Sequence, residues 1–271
     1  MHKLINGIQL AYHDQGQGEP LVFIHAFPLS KAMWEPQVRG LSDRYRIITI
    51  DVRGHGESDA LLWCYSLDQF ADDIHELIRS LGLQQATFIG LSMGGYILFA
   101  LYRRYPELVR SLVLADTRAQ ADSDEVQAGR VSMVQTAWKE GAGRIADLML
   151  PKLLSARALE SKQELVEHIR SLIVENHISG IISDLMAMAQ RPDATSLLAH
   201  ITCPTLVIVG QDDVATPPSE SQYMMDRLPN ARFETIPHAG HLSNLEQPEV
   251  FNRLLESFLA DLRESSQKSE P

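Results

Sequence analysis

Within FIGLSMGGYILF, residues 88–99, a serine stands between glycines where an apolar, strand-like run gives way to an apolar, helix-like one. Gly90, Ser92 and Gly94 follow the spacing G-x-S-x-G. With a strand before it and a helix after it, that pattern puts the serine on a sharp turn with its hydroxyl above the sheet. Glycines on either side keep neighbouring backbone from clashing there. The following helix aims free N–H groups at the same spot, where they favour developing negative charge. A serine in this place also reads as a helix cap. Capping does not account for the glycines on both sides.

A serine hydroxyl is a weak nucleophile near neutral pH and needs a base within hydrogen-bond reach, itself oriented by an acid. IPHAGH, after the last strand-like run, offers His238 and His241. His241 is favoured, because loops gather at the C-terminal ends of the strands in such a sheet. For the acid, GQDDVATPP offers Asp212 and Asp213, and Asp116 ends LVLAD. Adjacent side chains point in different directions, so at most one of the first two faces the histidine; turn and cap roles account for the others.

Acyl chemistry also needs donors aimed at an oxyanion. HAFP, residues 25–28, places the backbone N–H of Phe27 at the end of another apolar strand, and Met93 supplies a second N–H just after the serine. His25 reads as a structural residue that hydrogen-bonds loop backbone. DVRGHGES, residues 51–58, lacks the Walker spacing and its Lys-Ser/Thr ending. It reads as a tight structural loop, with His55 a turn residue.

These residues need a scaffold. KLIN and IQLAYHD read as short strands, then QGQGEP as a turn and LVFIHAF as a strongly apolar strand. After them strand-like YRIITID, QATFIG and LVRSLVLAD alternate with helix-like SLDQFADDIHELIRSLGL and YILFALYRRYP. Leu67, Phe70, Ile74, Leu77, Ile78 and Leu81 share one helical face by their spacing. PTLVIVG and ARFETIP resume the strand pattern near the end. The alternation predicts an α/β fold with a mostly parallel sheet covered on both sides.

Between the two strand-rich parts the strand pattern disappears. Residues 1–117 and 199–264 are read as the core, 118–198 as an inserted helical cap, and 265–271 as a polar tail that frays. Met133, Trp138 and Met149 are candidates to line an acyl pocket from the cap, since Met and Trp give adaptable apolar contact. Their competing role is cap core.

Composition excludes other classes. The 271-residue chain carries 24 Lys and Arg against 35 Asp and Glu, a net charge of −11, with no basic block to neutralise phosphates. Nucleic acid is not an expected partner. No apolar run approaches the roughly 20 residues of a membrane span, and the chain reads as soluble and without a signal peptide. Cys64 and Cys203 are too few for a disulfide framework and lack zinc-site spacing. They are expected to be buried thiols in a reducing cytoplasm.

HAFP, DVRGHGES, GLSMGG, GQDDVATP and HAGH, in this order and spacing, resemble the α/β-hydrolase superfamily over nearly the whole chain up to the polar tail. Within it the chain is similar to small carboxylesterases and the 3-oxoadipate enol-lactonase-like group. The resemblance implies an α/β-hydrolase fold: a mostly parallel eight-stranded sheet flanked by helices, with the helical cap after the sixth strand. By position it makes Ser92 the nucleophile, His241 the base and Asp213, fourth in G-x-x-D, the acid. The family usually has His-Gly where this chain has His25-Ala26, a change that would narrow the oxyanion pocket.

The implied activity is hydrolysis of a small carboxylic ester through an acyl-enzyme, without metal or organic cofactor. The alternative is a lactonase acting on an anionic enol-lactone, with Arg118, Arg130 or Arg144 as its cationic clamp; the net charge gives such a substrate no long-range attraction. Perhydrolysis, C–C bond cleavage and non-catalytic ligand binding are further alternatives. The implied partner is a small-molecule ester or lactone, and the expected state a monomer or small homo-oligomer.

Overall fold

The computed structural model describes residues 1–61 and 65–268. Among them, eight strands form one sheet in the order β1-β2-β4-β3-β5-β6-β7-β8. β1 (His2–Ile5) and β2 (Ile8–Gln15) form a hairpin closed at Asn6-Gly7. Both turn residues have positive φ, 45° and 82°, as a two-residue turn matched to strand twist demands. β2 also pairs antiparallel with β4 (Arg46–Ile50). From there the ladders are parallel through β3 (Pro20–Ile24), β5 (Ala86–Leu91), β6 (Val109–Ala115), β7 (Thr205–Gly210) and β8 (Ala231–Ile236).

β5 and β7 are buried along their whole length, the signature of strands covered on both faces. The covering helices of the core are α1 (Glu35–Leu41), α2 (Leu67–Ser80) and α3 (Met93–Arg104). α2 starts where Ser66 accepts a hydrogen bond from the Gln69 N–H, and it buries Leu67, Phe70, Ile74, Leu77 and Ile78, the stripe legible in the sequence. The helices α4 (Asp124–Leu153), α5 (Ala156–Ser161), α6 (Gln163–Val174), α7 (Ile178–Ala189) and α8 (Thr195–Leu198) all lie between β6 and β7. α9 (Pro218–Met225), α10 (Ser243–Glu246) and α11 (Pro248–Lys268) complete the chain.

The inserted helices sit on the DVRGHGES loop at close range. A Cβ added to Gly180 of α7 would lie 1.9 Å from the Gly54 carbonyl oxygen, so the two backbones meet only because neither position has a side chain. Beside them buried Asn176 donates to the carbonyls of Pro28 (2.8 Å) and Leu172 (2.9 Å) and accepts from the Gly56 N–H (2.7 Å). The loop itself is pinned by Asp51, whose carboxylate accepts from the backbone N–H of Lys31 and of Glu57 and from the Lys31 ammonium. That agrees with a structural reading of the loop. His55, however, is more than a turn residue: it is fully buried, with Nε2 3.4 Å from Oδ2 of equally buried Asp184 on α7.

Two further expectations meet the structure here. α11 runs to Lys268, so the start of the stretch 265–271 is helical backbone and not frayed coil; residues 269–271 lie outside the described residues. Cys64 also lies outside them, whereas Cys203 is partly buried and burial pushes its thiol up to about 11. Among the described residues no helix is long and apolar enough to cross a membrane.

Glycines separate packing from propensity. A Cβ on Gly94 would fall 2.3 Å from the Ile24 carbonyl oxygen, whereas one on Gly129, exposed within α4, would meet nothing within 4 Å. In urea denaturation Gly94→Ala is expected to lose about 1–3 kcal/mol. Gly129→Ala should gain about 0.5–1 kcal/mol from helix propensity alone. A neutral Gly94→Ala would contradict the packing of α3 on β3.

Candidate active site

Ser92 lies between β5 and α3 with φ 55° and ψ −112°, a left-handed backbone that costs a side-chain-bearing residue about 1–3 kcal/mol. Local contacts impose it. The Ser92 N–H donates to the Ala115 carbonyl (2.9 Å), and the Thr117 hydroxyl donates to the Ser92 carbonyl (2.8 Å). A Cβ on Gly90 would lie 2.5 Å from the carbonyl carbon of Gly94, so the two glycines let the turn close on itself.

Although Ser92 occupies the N-cap position of α3, its side chain makes no capping hydrogen bond. Its Oγ lies 2.8 Å from His241 Nε2. His241 Nδ1 is 2.8 Å from Asp213 Oδ2, in the loop after β7. Asp213 is held in turn: Oδ1 accepts from the N–H groups of Ala215 (2.8 Å) and Thr216 (3.0 Å), and Oδ2 from the Thr216 hydroxyl (2.8 Å). The three side chains singled out from the sequence thus meet, although they lie on separate loops.

The electrostatics suit proton transfer from the serine. Burial works against charge on His241, but Asp213 facing Nδ1, reinforced by Asp116, outweighs it and raises the imidazole above its usual 6.5. Burial pushes Asp213 up, yet His241 and the Thr216 donors hold it below the usual carboxylate range. A carboxylate ionised at neutral pH therefore faces a base that can accept a proton.

The rival candidates are placed elsewhere. His238 is exposed with φ 58°, and Asp212 is exposed. Asp116 is fully buried near the pair, but its Oδ1 accepts from the Gly210 N–H (2.7 Å) and its Oδ2 lies 2.5 Å from the Ser243 hydroxyl oxygen. Burial, and then the charge of Asp213, push Asp116 well above the usual range. It ties the end of β7 to the loop after His241. His25 is kept neutral by burial; Nδ1 donates to its neighbour Ala26 (3.0 Å) and Nε2 accepts from the Val52 N–H (3.1 Å), the loop-bracing role expected of it.

Met93 opens α3, so its N–H has no acceptor within the helix, and buried Phe27 stands three residues beyond β3. Of the three side chains expected in an acyl pocket, Met133 and Met149 are partly buried against the core. Trp138 is a correction. It is 74% exposed on the same outward stretch of α4 as Val131, which is 45% exposed, so its indole faces water and encloses nothing. Among the arginines, Arg130 is bound to Asp122 and Arg144 lies beside Glu140 at 3.4 Å. Arg118 stands only 3.6 Å from Asp122. Among the described residues no three His, Cys, Asp or Glu side chains gather as a metal site would need.

A fold of this topology carrying a serine at the tightest turn has relatives. The alpha/beta hydrolase fold family profile matches residues 19–248. The chain belongs to that family. A solved esterase from Thermogutta terrifontis, with malate bound, is 37% identical with a TM-score of 0.93, covering 97% of this chain and 98% of its own. The enol-lactonase of Burkholderia xenovorans LB400 is 30% identical with a TM-score of 0.90, covering 96% of this chain and 100% of its own. By sequence, 3-oxoadipate enol-lactonase 2 of Acinetobacter baylyi is 29% identical over 93% of each chain.

The placement of the two carboxyls predicts different responses of the imidazole. By NMR titration His241 should show a midpoint above 6.5, and Asp213→Asn should lower it, because burial then acts with less opposition. Asp116→Asn should move it far less, since Asp213 meets the ring directly at 2.8 Å whereas the carboxyl of Asp116 is engaged with the Gly210 N–H and Ser243. An equal fall in both variants would contradict the assignment of Asp213 as the charged partner.

Proposed function

We propose that this chain is a serine hydrolase that cleaves small carboxylic esters through an acyl-enzyme. The observation that carries the reading is the unbroken hydrogen-bond chain from Ser92 Oγ through His241 to Asp213, with the serine hydroxyl at a strained turn and free of capping. Ser92 Oγ attacks the ester carbonyl while His241 Nε2 takes its proton. Asp213 holds the ring so that Nε2 faces the serine and stabilises the imidazolium. The tetrahedral oxyanion accepts from the N–H groups of Phe27 and Met93, each donor worth about 3 kcal/mol of barrier lowering.

Collapse of the intermediate breaks the ester C–O bond, and His241 returns the proton to the departing alkoxide, releasing the alcohol. Water, deprotonated by His241, then attacks the acyl group and frees Ser92 and the acid. The named esterase relative supports an ester as substrate.

A second reading, hydrolysis of an anionic enol-lactone, uses the same steps on a ring. It is supported by the relatives named enol-lactonases.

Hydrolysis of p-nitrophenyl esters from acetyl to dodecanoyl tests the leading reading. Ser92→Ala should lose activity at least about a thousandfold while remaining folded. For the wild type, kcat/KM should rise with pH through a midpoint above 6.5, since only neutral His241 accepts the proton. Inactivity across the series with turnover of an anionic enol-lactone would favour the second reading. Activity surviving in Ser92→Ala would overturn both.

A further inference from the structure

The two chain segments that join the inserted helices to the core lie side by side. The Ala194 N–H donates to the Ala119 carbonyl (2.9 Å), the Ala121 N–H to Asp193 (3.2 Å) and Arg191 to the Gln120 carbonyl (2.8 Å). Between this seam and the core helices is a cavity of about 350 Å³. Leu67, Phe99, Ala100 and Leu197 give it an apolar wall. Neither Ser92 nor His241 lines it.

Charges on that wall are unevenly matched. Arg103 is bound to Asp68, and Asp193 spends its carboxylate on the backbone N–H groups of Ala121 and Thr195. His200 is turned to the Ser196 carbonyl. Fully buried Asp122 makes its short contacts with Arg130 and with Arg191, at 2.6 Å for the latter. Arg118 also lines the cavity, and its nearest approach to Asp122 is 3.6 Å, outside hydrogen-bond range. The Tyr96 hydroxyl and, more weakly, Glu220 are its other partners. One carboxylate thus serves three guanidiniums, and Arg118 receives the smallest share.

We propose that this cavity is a second binding site, apart from the scissile bond, for a small monocarboxylate with an apolar body, its carboxylate taken by Arg118. The volume lies at the lower end for small-molecule sites, and a planar guanidinium recognises a carboxylate through paired donors.

The consequence for catalysis rests on the serine-hydrolase reading. Asp213 and Asp116 favour the charged form of His241, and the Arg118 cation opposes them. A carboxylate on Arg118 cancels that opposition. His241 then holds its proton to higher pH, and hydrolysis slows on the acid limb with the alkaline plateau unchanged. Ester hydrolysis releases a carboxylic acid, so the product belongs to the class of ligand that fits.

Benzoate is the probe. Calorimetric titration should find one saturable site that persists after Ser92 is blocked by a phosphonate. Arg118→Gln should weaken it about tenfold or more, the share of a charge-assisted hydrogen bond. Leu197→Trp, which fills the cavity while leaving the Arg118 side chain unchanged in the sequence, should abolish binding. In kinetics benzoate should move the acid limb upward in the wild type, and in Arg118→Gln the limb should already be higher and no longer respond. Benzoate that competes with ester and is lost on phosphonylation would put the carboxylate in the active site and overturn the proposal. So would binding undiminished in folded Arg118→Gln. The comparison of wild type with Arg118→Gln by calorimetry needs no turnover, so failure of ester hydrolysis would not be mistaken for failure of the cavity.

Discussion

At φ 55° Ser92 holds a conformation that a residue with a Cβ adopts only when its surroundings leave no other, and much of the molecule serves to leave no other. Ala115 at the end of β6 and Thr117 just beyond it clamp its N–H and carbonyl. Gly90 and Gly94 let strand and helix touch, and Gly94 lets the helix start rest on the end of β3. A serine free to relax would turn its hydroxyl to the backbone and cap α3. Held in the strained turn, the hydroxyl has His241 as its partner, and the start of α3 faces the same space. Stability is spent at one residue to place one oxygen.

The second requirement is that two buried carboxyls near one imidazole are shifted in opposite directions. Asp213 has three donors besides the ring, whereas Asp116 is pressed by burial and by its ionised neighbour. Both oxygens of Asp116 still have partners, which is why a buried acid is tolerated there: it braces the ends of β7 and the histidine loop. Division of labour between two similar groups thus follows from local donors.

The site was legible because its residues lie in short motifs at strand ends, where local sequence fixes the turn. G-x-S-x-G, HAFP and HAGH each carry their own geometry in a few residues. Choosing Asp213 over Asp116 needed the resemblance to known hydrolases, because spacing alone leaves both at strand ends. Features made by distant segments were not legible at all. Gly54 meets Gly180, Asn176 bridges to Pro28, and His55 faces Asp184, each across more than a hundred residues. No local pattern announces such partners. Trp138 misled because an aromatic on a helix reads as pocket or core, while only packing decides which face of α4 is covered. The polar stretch after Leu262 misled in the opposite sense. Its Glu, Gln and Lys residues form helix readily and extend the amphipathic α11 that Leu255, Phe258 and Leu259 anchor.

Acylation of Ser92 is the step on which every other proposed role at the site depends. Brief mixing with p-nitrophenyl acetate, acid quenching, and intact-mass and peptide analysis would measure this directly. A single acetyl group on the peptide that contains Ser92, lost on further incubation and absent in Ser92→Ala, is the predicted result. Turnover with the acetyl group on another residue, or with the same adduct in Ser92→Ala, would contradict it.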